Sequence, residues 1–182
     1  GKIARGHSWF NDDEMKTLLL MRHAKSSWKN DELSDHERPL KKRGRKDAKR
    51  IAKEILKQDL MPELILSSTA TRALETVETL VEQLDYQNRV VYINELYMGE
   101  PQDFIDALQT HAEHEGTVMI VAHNPGLEAY LQIIDGEIES LPTGGLGYLV
   151  LALDDWQDIS LETMGDLIGF WKPKELRKKD KS

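Results

Sequence analysis

An arginine and a histidine, Arg22 and His23, directly follow the uncharged run Thr17-Leu-Leu-Leu-Met21. Histidine can serve as nucleophile, general base or metal ligand, and a guanidinium fork matches the oxygens of a phosphate. The pattern of a reactive group after an apolar run recurs. Arg72 comes after Leu64-Ile-Leu66 by way of Ser67-Ser68-Thr69-Ala-Thr71, and His123 comes directly after Val118-Met-Ile-Val-Ala122. Arg38 precedes Pro39, which keeps it out of helical geometry. Any one of these residues alone reads as an ordinary surface group. Two arginines and two histidines in one place would hold a compact anion. Cations around a histidine disfavour its protonated form and so preserve it as a nucleophile. The same cations stabilise the oxygens of a transferring phosphoryl group. A metal site is the competing use of the histidines. It is discounted, because guanidinium groups repel a divalent ion and the motifs carry no carboxylate or thiolate partner. Ser67 and Ser68 lack a Gly-x-Ser-x-Gly elbow, and no Walker A loop or dinucleotide glycine fingerprint is present.

The elements that must position these groups alternate. Short apolar runs at about 16–21, 64–66, 90–93 and 118–122 read as buried strands. Helical spacing over about 41–58 uses Ala48, Ile51, Ala52, Ile55 and Leu56, and a second helix beginning near Ser68 or Thr69 uses Leu74, Val77, Val81 and Leu84. A third covers about 102–111, and a fourth opens at Pro125. Two final strands are expected near 147–153 and 159–164. Strands alternating with helices predict an α/β fold, a three-layer α/β/α sandwich around a mostly parallel sheet. Such sheets bind ligands outside the carboxyl ends of their strands, where Arg22, His23, Arg72 and His123 fall.

The chain has 182 residues, 40% hydrophobic and 31% charged, which fits one globular domain. Residues 1–14 show no periodicity and read as an N-terminal tail or expression remnant. The domain is expected over 15–171, with a basic, unstructured tail at 172–182. No apolar run is long enough to span a membrane, and no secretory signal is evident. Cysteine is absent, which removes thiol chemistry and fits a cytoplasmic location. A net charge of −8 argues against nucleic acid as partner. The basic stretch 41–50 reads first as a solvated helix face and second as a positive rim for an anionic partner.

Arg22-His23-Ala24, Ser67-Ser68 with Arg72-Ala73 and Thr76, and His123-Asn124-Pro125 together resemble the histidine phosphatase superfamily, also called phosphoglycerate mutase-like. The short chain, Arg22-His23-Ala24-Lys25-Ser26-Ser27-Trp28 and Asp35-x-x-Arg38-Pro39-Leu40 resemble its SixA-type branch, which includes protein phosphohistidine phosphatases. The resemblance implies a phosphoglycerate mutase-like fold and a metal-independent phosphatase without cofactor. It also implies that His23 is the nucleophile, that Arg22, Arg72 and His123 hold the phosphoryl oxygens, and that Arg38 adds a phosphate contact. Ala24 departs from the usual glycine. Larger relatives carry a proton-donating glutamate on an insertion that this chain lacks. Glu95 is the first candidate for that acid and Asp35 the second, each weighed evenly against a solvated surface carboxylate. The expected partner is a phosphohistidine protein. The alternatives are small phosphate esters, or a phosphate-binding regulatory module with little turnover.

Overall fold

The structure is a computed structural model that describes residues 15–138 and 140–180. The expected tail at 1–14 lies outside the described residues. Among the described residues six strands form one sheet: β1 (Met15–Arg22), β2 (Leu64–Ser67), β3 (Arg89–Tyr92), β4 (Thr117–Ala122), β5 (Leu146–Ala152) and β6 (Gly165–Trp171). Their spatial order is β3-β2-β4-β1-β5-β6. The first four are parallel, β5 runs antiparallel beside β1, and β6 runs antiparallel beside β5 at the sheet edge. Among the described residues five α-helices connect and cover them: α1 (Lys42–Lys57), α2 (Thr71–Leu84), α3 (Pro101–His111), α4 (Gly126–Ile134) and α5 (Pro173–Asp180).

The continuous apolar strands follow from burial on both faces. In β1, Leu18 and Leu20 enter one core with α3 and α4, while Leu19 and Met21 enter the other with α1, α2 and α5. All four are fully buried. Each such side chain contributes about 1.5–3 kcal/mol relative to exposure. The three layers expected from the sequence are therefore present.

The topology places the ends of β1 and β4 together. The chain leaves β1 through α1 on one face and leaves β4 through α4 on the other. Connections that diverge from neighbouring parallel strands open a crevice at their carboxyl ends. Arg22 is paired directly with Ala122, and the His23 amide donates to the Ala122 carbonyl at 3.1 Å. His23 and His123 are thus brought together although 100 positions apart (123 − 23).

Three expectations are corrected. The second helix begins at Thr71 rather than Ser68 or Thr69. The Ser68 hydroxyl accepts from the Ala70 amide, which makes a local turn before the helix. The last strand is Gly165–Trp171 rather than 159–164. Ile159 instead follows a 3-10 turn, Trp156–Asp158, and packs in the core beside Trp156. Gly165 hid the true strand: a Cβ there would stand 2.9 Å from the Val150 carbonyl oxygen. Finally, the basic C-terminal stretch forms α5. Leu176 is buried, and Arg177 Nη1 lies 2.8 Å from both carboxylate oxygens of buried Asp47. A buried carboxylate needs such a partner, and composition alone cannot reveal the pairing.

Candidate active site

The backbone around His23 is pinned by groups from three segments. The His23 amide is held by Ala122, and its carbonyl accepts from Gly144 N–H at 2.9 Å. The next amide, Ala24 N–H, donates to the Thr76 hydroxyl of α2 at 3.0 Å. Gly144 has φ +75°, and its Cβ-free backbone lies against Ala24 and Pro173. The ring is fixed as well. Its Nδ1 lies 2.8 Å from the Ala24 carbonyl oxygen, which can only accept, so Nδ1 carries the proton. The lone pair is therefore on Nε2. Burial pushes the imidazole pKa down to about 3, assisted by His123, Arg72 and Arg22, so His23 is neutral at ordinary pH.

The other expected groups converge on it. Arg22, His23, Arg38, Arg72 and His123 line one cavity of about 220 Å³. The His23 and His123 rings lie 5.1 Å apart between centroids. His123 Nε2 is 2.7 Å from the Ser68 hydroxyl, and burial, with Arg72 next in effect, pushes its pKa down to about 3. His123 Nδ1, Arg22 Nε and Arg72 Nε are buried polar atoms without a hydrogen-bond partner among the described residues. Two unpaired guanidinium N–H donors and a histidine ring nitrogen around one cavity favour an anion with several oxygens.

Asp35 organises the arginines. Arg72 Nη1 donates to its backbone oxygen at 2.7 Å and Nη2 to its carboxylate at 3.0 Å. Arg38 Nε donates to the same carboxylate at 3.2 Å, and the Tyr97 hydroxyl donates at 2.6 Å. The Tyr97 hydrogen bond, followed by the two arginines, holds the Asp35 pKa at about 2, so this carboxylate is ionised. One carboxylate against two buried guanidinium groups leaves positive charge uncompensated, which a phosphate would neutralise.

Glu95 is not brought to this cavity. It is exposed on the 3-10 turn Asn94–Leu96, whose Leu96 faces the core. That register turns Glu95 outward into a separate depression of about 400 Å³ shared with Asp103 and Asp106. Carboxylates gathered there would repel a phosphate. From the same segment Met98 lines the cavity, and Tyr97 stands behind it, bonded to Asp35 and with its ring edge-on to His123 at 5.5 Å. Sequence reasoning missed Tyr97, and no periodicity or motif marks it. It quoted Trp28 and Ser68 within motifs without giving them a role. Trp28 lines the cavity and stacks under Arg38, 3.4 Å from guanidinium carbon to ring centroid. Among the residues that line the cavity there is no carboxylate.

A mostly parallel α/β sheet with two histidines and three arginines gathered around one cavity beyond the ends of β1 and β4 is an arrangement suited to handling phosphate. The profile of the histidine phosphatase superfamily (branch 1) matches residues 18–102. The chain is 31% identical over 152 residues to an uncharacterized chloroplastic protein of Arabidopsis thaliana, covering 79% of this chain and 70% of that one. It superposes with TM-score 0.74 and 30% identity on a structure described as phosphohistidine phosphatase SixA from Agrobacterium tumefaciens, covering 87% of this chain and 98% of that one. A protein histidine phosphatase SixA solved with tungstate shares the fold, with TM-score 0.73 at 21% identity over 88% of this chain and 99% of that one. The chain belongs to the histidine phosphatase superfamily, on its SixA-type branch, and is a phosphatase. Among the described residues, no helix is long and apolar enough to cross a membrane.

Proposed function

We propose that the protein hydrolyses phosphohistidine on proteins in two metal-independent steps through a phosphoryl group carried on His23. The observation that carries this reading is the His23 Nδ1–H···Ala24 carbonyl bond, which leaves Nε2 a lone pair in a cavity lined by Arg22, Arg38, Arg72 and His123. In the first step Nε2 bonds to phosphorus and the substrate P–N bond breaks. The substrate imidazole keeps the electron pair. When its other ring nitrogen is already protonated, it departs as neutral imidazole without help from a protein acid. In the second step water attacks phosphorus, the pair returns to Nε2, and phosphate leaves with the proton released by water. Arg22, Arg72 and His123 stabilise the equatorial oxygens in both steps, and Arg38 adds a further contact. The cationic charge of the three arginines does the work a divalent ion does elsewhere, and neutral His123 adds hydrogen bonding.

The preference for P–N bonds rests on the acid. An alkoxide leaving group requires a proton as the bond breaks, and a donor near neutral pKa is the usual source. Asp35 is ionised at its hydrogen bonds to Tyr97, Arg72 and Arg38, and Glu95 faces away. A similar SixA-type structure from Agrobacterium is described as a phosphohistidine phosphatase, which supports the same choice.

The test is a panel of phosphohistidine peptides, phosphoramidate, and sugar and serine phosphates, assayed with wild type and His23→Ala, with and without chelator. The P–N substrates should be hydrolysed with kcat/KM at least tenfold above the esters, independent of chelator and dependent on His23. Equal or faster ester hydrolysis would overturn the substrate assignment. Loss of activity with chelator would overturn metal independence.

A further inference from the structure

Among the described residues the exposed large apolar side chains are Trp28, Leu56, Tyr92, Met98, Ile133 and Met164. Two of them, Trp28 (73% exposed) and Met98 (63% exposed), line the phosphate cavity. A side chain that lines a cavity and is this exposed stands at its mouth. Neither is a loose surface residue.

Trp28 is held as a platform. Arg38 covers one face of its indole, and Arg38 is itself buried and fixed by Asp35 and by Ser26 Oγ at 3.1 Å. The preceding backbone is tied down by the Ser26–Leu40 bridge and by Ser27 N–H donating to the Pro39 carbonyl at 2.8 Å. The second indole face is left open. Its orientation is prepaid, so a ring that stacks there loses little to side-chain ordering.

Met98 is held at φ 61°, in the left-handed region that side-chain-bearing residues avoid. Such a conformation persists where surrounding contacts enforce it. Here Gly99 carries its carbonyl into the space that a Cβ on Gly126 would fill, locking the turn to the start of α4. A flexible, polarisable thioether is thereby presented beside the pocket, and sulfur contacts aromatic ring edges favourably.

We infer that Trp28 and Met98 form a leaving-group subsite for a planar aromatic ring attached to the phosphoryl group. Resting on the proposed function, the ring is the imidazole of phosphohistidine; a phosphotyrosine ring is the other source of the same chemistry. The cavity of about 220 Å³ is smaller than the roughly 300–1,000 Å³ of sites for drug-sized ligands. It suits a phosphoryl group and the ring that carries it, with the remaining substrate outside. Aromatic rings stack on one another in offset or edge-on geometry, and an indole face also accepts a protonated ring. An aliphatic amine or alcohol leaving group gains neither contact.

The experiment compares peptides identical except for phosphohistidine, phospholysine, phosphotyrosine or phosphoserine, with wild type, Trp28→Ala, Trp28→Phe and Met98→Ala. Phospholysine has the same P–N bond without a ring, so the ratio of kcat/KM between the two P–N peptides isolates the subsite. That ratio should fall at least about fivefold in Trp28→Ala and measurably in Met98→Ala, and Trp28→Phe should restore most of it. An equal loss on both P–N peptides would overturn the subsite, because Trp28 would then act only by supporting Arg38. An unchanged ratio would overturn it too. Phosphotyrosine hydrolysed faster than phosphohistidine would keep the subsite and overturn the imidazole assignment. If wild type cleaves neither P–N peptide, the proposed function fails, and the subsite stands or falls on the phosphotyrosine-to-phosphoserine ratio in the same variants. A titration with imidazole gives an independent reading. The Trp28 indole N–H resonance, assigned by its loss in Trp28→Phe, should shift saturably, and its failure to move would count against the subsite.

Discussion

A single backbone carbonyl, that of Ala24, sets the tautomer of His23 and so decides which nitrogen keeps a lone pair. Burial sets its charge. With the pKa pushed down to about 3, His23 stays neutral well below the range in which a free imidazole protonates. Its depressed value means that the lone pair on which the proposed mechanism relies is available above the folded pKa and lost only as pH falls through it. His123, held down to about 3 by the same burial, follows the same rule. The value of kcat/KM, corrected for substrate ionisation and spontaneous hydrolysis, should therefore stay within about twofold from pH 8 to 5.5. An imidazole with the ordinary pKa near 6.5 would lose roughly tenfold over that range. Stopped assays across the range check it, and a tenfold loss would show that His23 titrates normally. Asp35 is linked to this picture as an orienting anion. It spends both carboxylate oxygens on Arg38, Arg72 and Tyr97 rather than on proton donation.

At the scale of elements, the site depends on how closely α1 approaches the loop segment that follows His23. Gly44 lies on α1, and a Cβ there would fall onto the backbone carbonyl of Lys25, with the Lys25 nitrogen 2.9 Å away. Lys41 N–H donates to that carbonyl at 2.9 Å, and the neighbouring Ser26 holds Arg38. In an exposed helix, glycine to alanine gains up to about 1 kcal/mol. Here overpacking costs about 1–3 kcal/mol, and the obstacle is backbone that cannot rotate away. Gly44→Ala should therefore lower stability by about 1–2 kcal/mol in denaturant unfolding. It should also raise KM more than it lowers kcat, because the role proposed for Arg38 is to contact the phosphoryl group and not to attack it. A stabilised variant with unchanged KM would contradict this packing. Much of this scale was legible in the sequence, unevenly. The parallel strands β1, β2 and β4 are continuous apolar runs because both their faces are covered. The β6 strand escaped notice because Gly165 and Gly169 interrupt its pattern where the sheet packs tightly.

Across the whole molecule, a chain of net charge −8 concentrates three guanidinium groups on one crevice. The sequence disclosed Arg22, His23, Arg72 and His123, since a polar group after an apolar run marks a strand end whatever the loops do. It did not disclose that Met98 and Tyr97, rather than Glu95, stand at the site, because that depends on a one-turn register fixed by Leu96. Nor did it disclose that Asp35 is engaged by two arginines, because that requires the fold to bring residues 35 and 72 together. The helical C-terminus was equally hidden, resting on Asp47 and Arg177 meeting across 130 positions. The proposed chemistry requires that His23 carry the phosphoryl group. The direct measurement is rapid-quench trapping with radiolabelled phosphoramidate, followed by peptide mapping of wild type and His23→Ala. An alkali-stable, acid-labile label is expected on the peptide containing His23, absent from a folded His23→Ala protein. Acid-stable label, label on another residue, or undiminished turnover by His23→Ala would contradict it.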